Sequence, residues 1–250
     1  MDLLPVEIKV NIEGDVAAAL SALDASGGAK TTRRIWFAED RAGVAEGQVP
    51  LLVGGVIVRF RVGSGPGDLT VKLRPCNREQ LVGRFAAPFE AEPFTYKIEA
   101  DWSGTNRVLA ASLVHDHQSQ TLSGAVEPGG DPAAAIDEVQ GQFLHACAPT
   151  VRLDGLVALG PILSTKFDDV QLDDLDVDLE TWSVAGLEFL EASIRVKPKD
   201  EDAPEDLTAR AERKQQKLKD AMLASGVKLS EHSENKTRRV LTALAQAHQS

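Results

Sequence analysis

Five stretches of the 250-residue chain alternate charged and apolar residues with the period of a β-strand. They are Val6-Glu7-Ile8-Lys9-Val10, Val58-Arg59-Phe60-Arg61-Val62, Leu69-Thr70-Val71-Lys72-Leu73-Arg74, Tyr96-Lys97-Ile98-Glu99-Ala100-Asp101 and Leu190-Glu191-Ala192-Ser193-Ile194-Arg195-Val196. Successive strand side chains point to opposite faces, so each stretch fills one face with charge and leaves the other apolar. Lys9, Arg59, Arg61, Lys72 and Arg74 are thereby able to share one surface with Glu7, Glu99 and Glu191. A sheet that merely faced solvent would scatter Thr, Ser, Gln and Lys there. A lining rich in Arg and Lys, with a few acids near both ends of the chain, suits a polyanion and a divalent metal held together.

Composition narrows the class. Apolar residues make up 43% of the chain, enough for a sizeable core, but aromatics only 5%, so Val, Leu, Ala and Ile must do most of the packing. The net charge of −11 argues against a general nucleic-acid binder or a binder of anionic membranes. It also makes the local basic clusters more informative, because they run against the background. Cys76 and Cys147 are the only cysteines, too few for a disulfide scaffold, and they predict a reducing, cytoplasmic setting. No basic segment leads into an apolar run at the N-terminus, and no apolar stretch approaches the ~20 residues that span a bilayer.

Along the chain, residues 5–12 read as a strand and 14–25 as a helix with Asp15 near its start. A second strand is expected over roughly Thr32 to Ala38, then a loop containing Gly43, Gly47 and Pro50. Residues 55–62 and 68–74 predict a hairpin across Gly63-Ser64-Gly65-Pro66-Gly67, and 94–102 and 107–115 a second pair. Residues 133–147 read as a helix with Ile136, Val139, Phe143 and Leu144 on one side. Strands resume near 150–168, 174–182 and 188–197. A charged helix follows from about 205 to 224, broken at Ser225-Gly226, and Ser233 is placed to cap a final helix carrying Val240, Leu241 and Leu244.

The fold expected is α+β and mainly antiparallel: a closed, tunnel-like barrel of about eight strands with a polar bore, flanked by helices that cover its apolar outside. Residues 1–198 would form the tunnel with its inserted helices. Residues 199–250 would form C-terminal helices that pack on or close it, within the same domain.

This order of motifs resembles the CYTH superfamily, the triphosphate tunnel metalloenzymes. The matching pieces are Pro5-Val6-Glu7-Ile8-Lys9, Arg34-Ile35-Trp36-Phe37, Val58-Arg59-Phe60-Arg61, Leu69-Thr70-Val71-Lys72-Leu73-Arg74 and Phe189-Leu190-Glu191-Ala192-Ser193, spread from about residue 5 to residue 240. The resemblance implies hydrolysis of inorganic or organic triphosphates with Mg²⁺ or Mn²⁺. It assigns catalysis to Lys9, Glu7 and Glu191, phosphate binding to Lys9, Arg59, Arg61, Lys72, Arg74 and Lys166, and metal binding to Glu7, Glu191 and Glu180. Two family acids are missing, since Pro5 and Ser193 stand in their places. The implied partner is a phosphate-rich small molecule, with no nucleic acid and no membrane.

A non-catalytic polyanion-binding module on the same barrel is the alternative, and adenylyl cyclase activity a third reading. Taken singly, each basic residue reads as an ordinary exposed strand charge; as a set sharing one face on three strands, they read as a phosphate cradle. Lys97 and Glu99 read equally as bore residues or as a structural ion pair. The acidic run Asp173 to Glu180 alternates as a strand does and lacks the turn glycine of an EF-hand loop. His115-Asp116-His117 offers two imidazoles on one face without a third ligand and reads as a strand end. Cys147 beside His145 reads as helix packing, and Arg210 to Lys219 as a solvated helix face.

Overall fold

The computed structural model describes residues 3–63, 66–117, 119–230 and 236–248. In chain order the elements are β1 (Val6–Ile12), α1 (Val16–Ala22), β2 (Ala29–Asp40), α2 (Arg41–Ala45), α3 (Pro50–Val53), β3 (Val56–Gly63), β4 (Gly67–Cys76) and β5 (Phe89–Ala91). They continue as β6 (Phe94–Ser103), β7 (Asn106–His117), α4 (Ser119–Val126), α5 (Glu138–Cys147), β8 (Leu156–Leu172), β9 (Leu175–Val184), β10 (Leu187–Val196), α6 (Pro204–Ala224) and α7 (Lys236–Ala247).

The hydrogen-bonded order is β1-β10-β9-β8-β2-β3-β4-β7-β6-β5, and β1 also pairs with β6. Nine strands therefore close on themselves as a barrel, and β5 lies outside the ring on β6. The alternating segments predict these nine strands well, but periodicity does not say how many of them join one sheet, and the expected count was about eight. An odd-membered ring cannot be antiparallel throughout. The mismatch is taken up where β1 runs parallel to β6, with Val6 opposite Ala100.

Local chemistry sets several helix boundaries. The Asp15 carboxylate accepts the Ala18 N–H at 2.9 Å and starts α1. Asp137 and Gln140 cap α5 reciprocally, so this helix begins at Glu138; Ala133–Ala135 form only a 3₁₀ turn, which leaves Ile136 off the helix. The predicted loop between β2 and β3 contains α2 and α3. Their fixed point is Glu39, 1% exposed, whose carboxylate accepts the N–H groups of Leu51 at 3.0 Å, Leu52 at 2.8 Å and Asp40 at 3.2 Å. Helix α4 was not foreseen, because Ser-Gln-Thr-Leu-Ser-Gly-Ala-Val has too few apolar residues to mark a stripe. Ser233 lies outside the described residues. No helix among those described is long and apolar enough to cross a membrane.

The chain forms two compact units. The first comprises Met1–Thr32, Glu99–Arg107 and Ser164–Lys236. Its core gathers the apolar faces of β1, β9 and β10 (Ile8, Val10, Leu179, Ala192 and Ile194 among them) with Leu207, Ala211, Leu218 and Met222 of α6. The spacing of those α6 positions is the three-and-four rhythm of a one-sided helix, and Arg213, Lys214 and Lys217 are exposed.

The second unit comprises Arg33–Ile98, Val108–Leu163 and Thr237–Ser250. Phe60, Leu69, Val71, Leu73 and Leu113 are all fully buried there. Gln140 of α5 donates through Nε2 to the Leu69 carbonyl at 2.7 Å, which ties that helix to the sheet. Phe85, Tyr96 and Phe143 pack with ring centroids 5.0–5.6 Å apart, and the Tyr96 hydroxyl donates to the Phe85 carbonyl at 2.8 Å.

Candidate functional site

In the second unit, β3 and β4 pair so that Arg59 lies opposite Thr70, Arg61 opposite Asp68 and Ile57 opposite Lys72. Directly opposed residues share a face, so Arg59, Arg61, Asp68, Thr70, Lys72 and, by alternation, Arg74 stand together. Val58, Phe60, Leu69, Val71 and Leu73 occupy the other face of these strands, and α4 packs near both strands. Asp68 is the centre of the group and is only 4% exposed. Its Oδ2 lies 3.4 Å from an Arg33 nitrogen and 3.5 Å from one of Arg61, and its Oδ1 lies 3.9 Å from one of Arg59. The Thr70 hydroxyl donates to Asp68 Oδ1 at 2.9 Å and accepts from Arg59 at 3.2 Å. Gly67 makes the approach possible: a Cβ there would sit 2.6 Å from the Arg61 carbonyl oxygen.

Three guanidinium groups thus converge on one carboxylate. Asp68 and Arg33 escaped the sequence reading, because nothing local marks which guanidinium groups meet Asp68 at the start of the strand 68–74. The signal available was its period-two relation to Thr70 and Lys72.

In the first unit, β1 pairs with β10 so that Glu7 faces Arg195, Lys9 faces Ser193 and Asn11 faces Glu191. The Lys9 ammonium lies 2.8 Å from Glu7 and 2.8 Å from Asp101, which is 3% exposed. Glu191 and Glu180 are direct cross-strand partners on β10 and β9. Lys236, the first residue of α7, places its ammonium 3.0 Å from Glu180 Oε2, 3.3 Å from Glu191 Oε1 and 4.0 Å from the Trp182 ring centroid. The Ser164 hydroxyl donates to Glu180 Oε1 at 2.8 Å. Lys236 was not among the expected site residues: in sequence, Lys236-Thr237-Arg238-Arg239 reads as a solvated helix start.

Glu180 and Glu191 are therefore brought together, and Glu7 is not. Glu7 sits opposite Arg195, four residues along β10 from Glu191, which is about 13 Å of strand. Among the described residues no three His, Cys, Asp or Glu side chains group as a metal site requires. The residues present do not fit a divalent ion held by these three acids, since the two that meet already hold an ammonium.

The remaining expected residues fall as follows. Lys166 lies between Asp168 and Asp178, 2.8 Å from the latter, and the two carboxylates outweigh burial to push its ammonium above the usual lysine value. Glu99 pairs with Arg195, and Lys97 is exposed. Of the acidic run, Asp176, Asp178 and Glu180 lie on strand β9 as their alternation predicts, whereas Asp173 and Asp174 form the turn before it. Burial pushes the Cys76 thiol up to about 11 and raises that of Cys147, so neither is a ready nucleophile; His145 is exposed.

His115 and His117 do share a strand face, opposite that of Asp68, with ring centroids 3.8 Å apart and the Phe94 ring tilted against His115 at 4.5 Å. Burial pushes both imidazoles below their usual value, and His115 further disfavours protonation of His117. The fold thus favours the neutral form of both, whereas an unfolded histidine takes up a proton near about pH 6.5. Its contribution to stability is complete above that pH and is lost as pH falls towards the depressed folded values. The urea midpoint should drop between pH 7.5 and 5.5, and less so in a His115→Leu/His117→Leu variant. Equal slopes for the two proteins would contradict this account.

The closed barrel with charged strand faces is the fold that the resemblance to the CYTH superfamily implies. Two solved structures share it. One, from Hippeastrum, is assigned as an adenylyl cyclase and described as having a dominant triphosphatase activity; it superposes with a TM-score of 0.60 at 12% identity, over 96% of each chain. The other, from Bacillus halodurans, is assigned as an adenylate cyclase and gives a TM-score of 0.54 at 13% identity, over 95% of this chain and 98% of that one. No family model and no curated protein sequence matches the chain.

Proposed function

We propose that this protein binds a triphosphate-bearing small molecule and hydrolyses it at a phosphoanhydride bond. The observation that carries the reading is the convergence of Arg33, Arg59 and Arg61 on the single carboxylate of Asp68, on the face that also bears Lys72 and Arg74. Guanidinium forks grip phosphate oxygens bidentately, and lysines add point charge. The activity described for the Hippeastrum protein of the same fold supports the reaction type.

In the proposed reaction the basic face holds the phosphate chain in line and neutralises charge that develops on its oxygens. Water attacks the terminal phosphorus, the bond to the bridging oxygen breaks, and tripolyphosphate leaves as diphosphate and orthophosphate. Such a reaction asks mainly for positioning and electrostatics. Within the first unit by itself, Lys9, held in place by Glu7 and Asp101, and Lys166 are the proposed phosphate contacts. Glu7 and Glu191 orient Lys9 and Lys236. Mg²⁺ or Mn²⁺, brought with the substrate, would add charge neutralisation to that of the basic residues. A cytoplasmic setting accords with Cys76 and Cys147 both being free thiols.

Phosphate release from tripolyphosphate and from nucleoside triphosphates, with and without Mg²⁺ or Mn²⁺, tests the proposal, with cyclic AMP followed in parallel for ATP. Orthophosphate release is the expected result. Tripolyphosphate binding without turnover would instead establish a non-catalytic module, and the absence of both binding and release would reject the reading.

A further inference from the structure

The acid pair of the first unit has an unusual composition for a place where two carboxylates meet. Glu180 and Glu191 stand directly opposite each other on β9 and β10. Like charges in that relation repel, so the arrangement needs a cation. The cation present is Lys236, which is 5% exposed and bonded to one oxygen of each carboxylate. The indole face of Trp182, 4.0 Å from the ammonium, adds the attraction of its π-electrons. Glu180 has its second oxygen occupied by the Ser164 hydroxyl.

We propose that the Lys236 ammonium is the resident cation of the Glu180–Glu191 pair, standing where a divalent ion would have to bind and excluding it. An ammonium and a divalent ion repel strongly at this range, and the carboxylate oxygens that a hard cation would need are engaged by the lysine. The inference concerns the protein alone and does not depend on the triphosphate reading, since the pair is satisfied before any ligand arrives. Where that reading also holds, it follows that phosphate binding survives removal of free metal.

Mn²⁺ titration of the full-length protein without phosphate, followed by calorimetry and by the electron paramagnetic resonance signal of free Mn²⁺, tests it. The wild type is expected to show no binding that depends on Glu191, so that wild type and Glu191→Gln titrate alike. Lys236→Ala is expected to gain a Mn²⁺ site of at least about tenfold higher affinity than any in the wild type. That site should disappear in Lys236→Ala/Glu191→Gln, whereas Lys236→Arg should bind as little as the wild type. Stoichiometric Mn²⁺ binding by the wild type that is lost in Glu191→Gln would overturn the proposal. So would a folded Lys236→Ala that gains no site. If Lys236→Ala does not fold, the comparison of wild type with Glu191→Gln decides. None of these titrations reports on hydrolysis, so failure here and failure of the phosphohydrolase reading are separately visible.

Discussion

The Arg59→Ala/Arg61→Ala variant is expected to bind tripolyphosphate roughly a hundredfold more weakly than the wild type, with a matching loss of any phosphate release. Each guanidinium supplies charge-assisted hydrogen bonds to phosphate, of about 1.5–3 kcal/mol apiece. Losing two removes most of what fixes one end of the chain. The same substitution strips two of three cations from Asp68, which is 4% exposed, and a buried carboxylate deprived of partners destabilises the fold. A loss of binding through unfolding is therefore separated by adding Asp68→Asn, which should restore the thermal transition without restoring affinity. Arg59→Lys/Arg61→Lys keeps the charge and loses the fork, and should fall between. Calorimetric titration with tripolyphosphate, paired with circular dichroism melts, reads all of these; unchanged affinity in the folded double variant would show that the face is structural only.

Glu39→Ala should carry the largest stability cost away from the charged faces, about 2–4 kcal/mol. The carboxylate satisfies three backbone N–H groups, those of Asp40, Leu51 and Leu52, in a place water does not reach. Alanine leaves all three without it, and α3 loses the anchor of its first turn. Glu39→Gln keeps one acceptor oxygen and should cost less. Burial raises the Glu39 pKa above its usual 4.5, against the opposing pull of the backbone donors. The folded state thus holds this proton more tightly than the unfolded one. The group's contribution is fullest below the ordinary carboxylate value and declines as pH rises through the raised one. The difference in urea midpoint between wild type and Glu39→Ala should accordingly narrow with rising pH. A cost below about 0.5 kcal/mol would reject the anchoring role.

The charged faces were legible because a strand's period is fixed by covalent geometry: Glu7 with Lys9, Arg59 with Arg61, and Lys72 with Arg74 had to point the same way. The observed registers place each of these pairs on one face. What alternation cannot supply is the partner across space. Asp68 reads only as the first residue of a strand until β3 is laid beside it. Lys236 reads as a solvated helix start until it is set against Glu180 and Glu191, 56 and 45 positions earlier in the chain. Glu39 reads as the acid at the end of a strand, because its partners Leu51 and Leu52 are backbone groups and leave no trace in the sequence. The parallel seam between β1 and β6 was likewise invisible, since local periodicity carries no strand direction.

The first unit is assembled from three separate stretches of chain, and its opening strand pairs antiparallel with its closing one, Val6 against Val196. During synthesis, β1 leaves the ribosome long before that partner exists. Until Val196 has emerged, one edge of β1 stays open, and such an edge is a template for pairing with another chain. Closure is therefore a late event set by non-local pairing, which makes folding of this unit slow relative to helical domains of similar size. A nascent chain stalled before residue 196, or a gene fragment cut there, would expose that edge for as long as it persists, so the vulnerability of this protein to aggregation lies in its birth more than in its finished state.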